Sequence, residues 1–168
     1  MRRIDYIVGV PLCILVTLCM RIACLFSKKT ASPPSKVLLI ELSEMGSTIL
    51  ADPAMKKLQR SFNATLFFVI FAKNRPSLDL LGTVAAPNVF TIRDGGIVVL
   101  AFDTFRFILW TRKVGIDTVI DLELFSRFTA LMSAVSGAQR RVGFYRFCNE
   151  GLNRGDILTH KVAYNPHQ

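Results

Sequence analysis

Several residue patterns that would declare a chemistry are missing from this chain. There is no G-x-G-x-x-G and no G-x-x-x-x-G-K-[ST], so neither a dinucleotide fingerprint nor a P-loop is present, and a nucleotide-dependent oxidoreductase is disfavoured. Of the four cysteines, Cys13, Cys19 and Cys24 fall in one apolar segment and Cys148 stands apart. Without a C-x-x-C or paired histidines they indicate neither a disulfide framework nor a structural zinc site. The two histidines, His160 and His167, lack the carboxylate company of a metal site. Acidic residues are also scarce, 12 against 21 basic ones, for a net charge of +9. That excess is uneven. Residues 1–36 carry six basic residues against Asp5 alone, whereas the remaining 132 residues carry fifteen against eleven. The bias therefore gathers around an apolar segment, which favours anionic lipid over nucleic acid as a partner.

That segment runs from Tyr6 to Phe26, interrupted by Thr17 and Arg21, with Arg2 and Arg3 before it and Lys28 and Lys29 after it. About twenty helical residues cross a bilayer, so the length just suffices if Arg21 snorkels. Residues 1–28 are read as a membrane-associated helix, with the basic flank at Lys28 leaning toward the cytosol. A cleaved signal peptide is a second reading, opposed by the long apolar run and the lack of a clear A-x-A site. A re-entrant or interfacial helix is a third, supported by Gly9, Pro11 and basic charge at both ends. Residues 29–35, with Pro33-Pro34, form a linker, and a globular domain is expected over 36–168.

The domain opens on Lys36–Arg60, KVLLIELSEMGSTILADPAMKKLQR. Val37–Ile40 is too short for a helix and suits a buried strand. Small polar residues follow, and then Ile49, Leu50, Ala54, Met55 and Leu58 recur near helical spacing, with Lys56, Lys57 and Arg60 on the solvated side. Strand, loop and helix make half a βαβ unit, and ligands of such sheets sit at the carboxyl ends of the strands. Gly46 would admit a ligand close to the backbone, and the N–H groups of the following helix suit an anion. An ordinary tight turn at Gly46 is the competing reading.

Further strands are expected at Thr65–Phe71, Asn88–Ile92, Thr118–Leu122 and Arg141–Phe144, alternating with helices over 76–82, 97–113 and 125–135. In the long helix Phe102, Phe105, Leu109 and Trp110 are expected to face the sheet. After Phe144 the pattern reads as loop. Strand–helix alternation implies a doubly wound parallel sheet, an α/β fold with right-handed crossovers.

In that arrangement Asp121 and Glu123 end the fourth strand, and Ser126 and Arg127 open the next helix, so all four belong to the ligand edge. An arginine there suits a phosphate or carboxylate. The competing reading has Asp121 capping the helix and Arg127 paired with Glu123 at i,i+4. Lys73 and Arg75 lie at the same edge, as anion contacts or as solvated charges.

Two stretches together resemble glycosyltransferase family nine, the heptosyltransferases of lipopolysaccharide core assembly. In the first, Ser43, Met45, Gly46, Pro53, Ala54 and Leu58 match an S-x-M/L-G-D loop followed by a proline and a basic-ended helix. In the second, Gly115–Phe144 carries D-x-V-I-D-L, a helix containing Ser126 and Arg127, then S-G-A and R-V-G-F. The resemblance implies a Rossmann-like domain, the N-terminal half of a GT-B fold, that faces the acceptor. The donor, a nucleotide sugar, would be held by a second domain, so the chain ending at Gln168 is expected to be a fragment inactive by itself. It also implies no cofactor and no metal at the donor phosphates, in keeping with the lack of a D-x-D motif. The acceptor would be a lipopolysaccharide-like or other glycan or lipid, reached at the inner membrane by a cytoplasmic domain. One departure matters: the family's aspartate after the glycine, its candidate base, is Ser47 here. A serine hydroxyl is a poor base near neutral pH. Glu41 and Glu44 are therefore the candidate catalytic bases, and Ser43, Gly46, Ser47, Asp121, Glu123, Ser126 and Arg127 the candidate substrate-binding residues. A non-catalytic, membrane-tethered module binding glycan or phosphate is the rival reading.

Overall fold

The computed structural model describes residues 9–20, 32–124, 126–145 and 156–164. Its centre is β1 (Lys36–Ile40), whose side chains alternate between two apolar layers. Leu38 and Ile40 join Val69, Phe90, Ile92, Phe107, Val119 and Met132 on one face of a sheet. Val37 and Leu39 join Met55, Leu66, Phe68, Ile70 and Leu78 on the other. A strand covered on both sides needs no polar alternation, which is why V-L-L-I reads as a continuous apolar run. Each such side chain contributes about 1.5–3 kcal/mol through burial.

Among the described residues six parallel strands form this sheet in the order β3-β2-β1-β4-β5-β6. The others are β2 (Thr65–Phe71), β3 (Val89–Ile92), β4 (Thr118–Asp121), β5 (Arg140–Tyr145) and β6 (His160–Ala163). In register, Leu38 lies beside Phe67 of β2 and Val119 of β4. The strand order therefore reverses between β1 and β4, and a crevice opens beyond their carboxyl ends. The expected doubly wound parallel sheet is present. The sixth strand was not expected: all four of its residues are exposed, so nothing apolar marked it in the sequence.

The stretch after β1 is two helices where one was expected, α2 (Met45–Leu50) and α3 (Asp52–Phe62), broken at Ala51. Pro53 sits in the first turn of α3, where its missing N–H costs nothing. The break changes the facing. Met55 is buried, but Ile49 and Leu50, expected inside, are exposed. Next come α4 (Arg75–Leu81), α5 (Gly96–Val114) and α6 (Arg127–Val135). α3 and α4 cover the Val37 face, and α5 and α6 the Leu38 face. Gly115, in the left-handed conformation, ends α5 and turns the chain into β4.

α5 departs from expectation in a way that matters below. Phe107 and, in part, Trp110 pack on the sheet, whereas Phe102, Phe105 and Leu109 are exposed. The polar residue that replaces them inward is Asp103, fully buried and bonded by Arg93 from the backbone N–H (2.9 Å) and the guanidinium (2.8 Å). A carboxylate held by two arginines can occupy an inward position that an apolar pattern would not assign to it.

Before β1, Asp117 accepts hydrogen bonds from the backbone N–H groups of Ser35 and Lys36 at 2.9 and 2.8 Å. This ties the entry of β1 to the turn before β4. Residues 9–20 form a helix, labelled α1. Cys13 is its buried contact, packed with Ala130 of α6 and Ile157. Among the described residues no helix is long and apolar enough to cross a membrane. The expected crossing over Tyr6–Phe26 is thus not shown, and both of its ends lie outside the described residues.

Candidate functional site

The loop leaving β1 turns across the end of β4, and two glutamates meet there. The backbone ladder continues one step past each strand, Glu41 N–H to Val69 O (3.3 Å) and Leu122 N–H to Ile40 O (3.0 Å), so both loops leave from fixed positions. Glu123 reaches across, and its Oε1 accepts the N–H groups of Leu42 (2.8 Å) and Ser43 (2.7 Å). Glu41, only 3% exposed, turns back to accept the N–H of Glu44 at 3.3 Å, and the Glu123 carboxyl is its charged neighbour. Burial pushes the Glu41 carboxyl up to about 7, and the neighbouring Glu123 charge adds to the rise; the Glu44 N–H works against it. A proton is therefore held near neutrality at the point where the strand order reverses.

The other predicted residues distribute around this pair. Glu44 and Ser43 form the exposed crest of the loop, and the Ser47 hydroxyl donates to Glu44 at 3.2 Å. Gly46 lies in the first turn of α2 rather than in a tight turn. A Cβ there would meet nothing within 4 Å, so packing does not require glycine, and open space lies above the loop. Asp121, 1% exposed, points inward: it accepts the Thr129 hydroxyl at 3.0 Å and the Glu123 N–H at 3.2 Å. Its carboxylate locks α6 against the loop that carries Glu123. Ser126 caps α6 by accepting the Thr129 N–H at 3.3 Å, and half-buried Arg127 begins that helix. Lys73 and Arg75 pair instead with Asp94 and Asp79. In the stretch read as loop after Phe144, residues 146–155 lie outside the described residues, and Asp156 pairs with Lys161 at 2.8 Å.

One residue of the site carried no sequence signal. Asn74, buried after β2, donates its side-chain amide to the carbonyls of Leu42 (2.7 Å) and Ser43 (3.2 Å). Glu123 thus holds the N–H side of this loop and Asn74 the C=O side. An asparagine in A-K-N-R-P-S reads as a turn residue, and only the fold shows that it reaches the neighbouring strand's loop. Among the described residues no group of three or more potential metal ligands occurs.

No protein-family model matches the sequence, and no curated protein matches it significantly. Solved structures do. A glycosyl transferase family 9 protein from Veillonella parvula DSM 2008 is similar with a TM-score of 0.59 over 79% of this chain. The E. coli heptosyltransferase WaaC with ADP-2-deoxy-2-fluoro heptose is similar over the same share, with a TM-score of 0.62. The fold is shared with family-nine glycosyltransferases. Sequence identity is 16% in both cases, so it is the architecture that is common. The chain covers 36% and 44% of those two proteins, less than half of their length.

Proposed function

We propose that this chain is the acceptor-side domain of a glycosyltransferase of the heptosyltransferase type. The observation that carries the proposal is the buried Glu41 carboxyl beside Glu123, which itself holds the Leu42–Ser43 loop, at the β1/β4 crevice of a fold found in such enzymes. A base works best when its pKa lies near the working pH, and Glu41 has that property where Ser47 does not. In the proposed reaction an acceptor hydroxyl oxygen attacks the anomeric carbon of a nucleotide sugar. The bond from that carbon to the diphosphate breaks, its electron pair leaves with the nucleoside diphosphate, and the hydroxyl proton passes to the Glu41 carboxylate. Glu44 at the loop crest is the alternative base. Ser43, Gly46, Ser47 and Arg127 border the acceptor, while Asp121 and Glu123 act as positioning residues. The donor would be held by a second domain, and the acceptor is a lipopolysaccharide-like or other glycan or lipid. Attachment at the cytoplasmic side of the inner membrane by residues 1–28 belongs to the same reading.

The test is turnover of nucleotide heptose or hexose on lipid-linked acceptors by the natural protein that carries this domain. Glu41→Gln should remove an acidic limb near pH 7 from kcat/KM with little change in acceptor binding. Undiminished turnover in both Glu41→Gln and Glu44→Gln would exclude the carboxylates. A non-catalytic module for glycan or phosphate is the second reading, favoured by Ser47, whose hydroxyl is engaged with Glu44. It predicts acceptor binding without transfer.

A further inference from the structure

Val98, Phe102, Phe105 and Leu109 recur along α5 at i, i+4, i+7 and i+11, one continuous stripe about 16 Å long. All four are exposed, Val98 at 82% and the two phenylalanines above half. The sheet-facing side of α5 is already filled by Phe107, Trp110 and Asp103, so the stripe cannot turn inward without expelling that core. Its flanks carry one sign of charge. Arg106, Arg112 and Lys113 border it, and the only carboxylate of the helix, Asp103, is buried. Arg93 and Arg106 lie over the Phe102 ring, their charge set just beside its apolar face. On the same side of the sheet, beyond α6, α1 is docked by Cys13 and leaves Ile14, Leu15 and Leu18 exposed.

We infer that the outer face of α5 is a docking surface for an anionic phospholipid membrane. The face seats in the interface without crossing it. Aromatic and aliphatic groups would enter the boundary between headgroups and acyl chains, while arginine and lysine meet the lipid phosphates. A second copy of the chain fits less well, since pairing two such helices sets arginines against arginines with no exposed carboxylate on α5 between them. The inference extends the membrane attachment proposed for residues 1–28 but places it on a different element. It needs no sugar transfer, so either proposal can fail alone.

The experiment uses the full chain carrying Phe105→Trp and Trp110→Phe, mixed with vesicles whose acyl chains are brominated. Vesicles of phosphatidylcholine with about one-third phosphatidylglycerol should quench the new tryptophan, and phosphatidylcholine alone should not. Arg112→Gln with Lys113→Gln should lower the partition coefficient at least tenfold. In the unmodified chain, hydrogen exchange over 97–109 should slow on binding the same vesicles, a readout that needs no substitution. Bound protein without quenching or protection overturns the inference, as does equal quenching by neutral vesicles. A dimer in lipid-free solution that Phe102→Ser/Phe105→Ser dissociates would overturn it in favour of self-association.

Discussion

Replacing Glu41 by glutamine should make the protein more stable, and only on one side of neutrality. The carboxyl's ordinary value is 4.5, and burial beside Glu123 raises it to about 7 in the folded state. The folded chain thus holds a proton that the unfolded chain releases. The associated stability is fully present below pH 4.5 and is lost as the pH rises through about 7. At about 1.4 kcal/mol for each unit, the loss above pH 8 is roughly 3 kcal/mol. Glutamine is neutral throughout. Its amide oxygen can accept the Glu44 N–H as the carboxyl does, and it places no charge beside Glu123. Urea unfolding of both proteins at about pH 4 and about pH 8.5 separates the terms, because titrations remote from this pair cancel in the difference. Near equality at the lower pH, with the variant ahead by roughly 3 kcal/mol at the higher one, is expected. A difference that does not change with pH would refute the account of a raised Glu41 carboxyl, and so would a variant less stable at the higher pH.

Two further outcomes test the frame around that pair. Asn74→Ala strips two carbonyls of their donor; about 1–3 kcal/mol should be lost, and amide exchange at 42–44 should quicken while the β2 amides stay protected. Asp103, held down to about 2 by Arg93, contributes stability that is present above pH 3.8 and lost as the pH falls through about 2. Asp103→Asn should therefore cost about 2–3 kcal/mol near neutrality, a deficit that narrows in acid denaturation followed by circular dichroism.

The parts of the fold that could be read from sequence are those whose burial is two-sided. T-L-F-F-V-I-F and V-L-L-I have one interpretation in a chain of this length, because no half-exposed strand tolerates such runs. β6 could not be read: H-K-V-A is exposed and pairs with β5 at the edge of the sheet. α5 misled for a different reason. It is apolar around most of its circumference, so periodicity marks a helix but not its inward side. The deciding residue was Asp103, whose partner Arg93 lies before the helix. At the crevice, Glu41, Asp121 and Glu123 were legible because strand ends fall where apolar runs stop. Their division of labour was not, since which carboxyl carries a proton depends on distances across two loops. Asn74 shows the limit most plainly, because its partners Leu42 and Ser43 are over thirty residues earlier in the chain.

The central place of β1 has a consequence for how the chain is born. Val37 pairs with Leu66 on one side but must wait for Thr118, some 81 positions further on, to cover the other. At a synthesis rate on the order of ten residues per second, that interval lasts about eight seconds. For those seconds one edge of a strand buried on both faces in the folded chain, V-L-L-I, stands open at the ribosome exit, a template for any passing strand. The β1–β2–β3 half can form early because its contacts are local. Its safety depends on whatever shields the β4 side until α5 and the Thr118–Asp121 segment emerge.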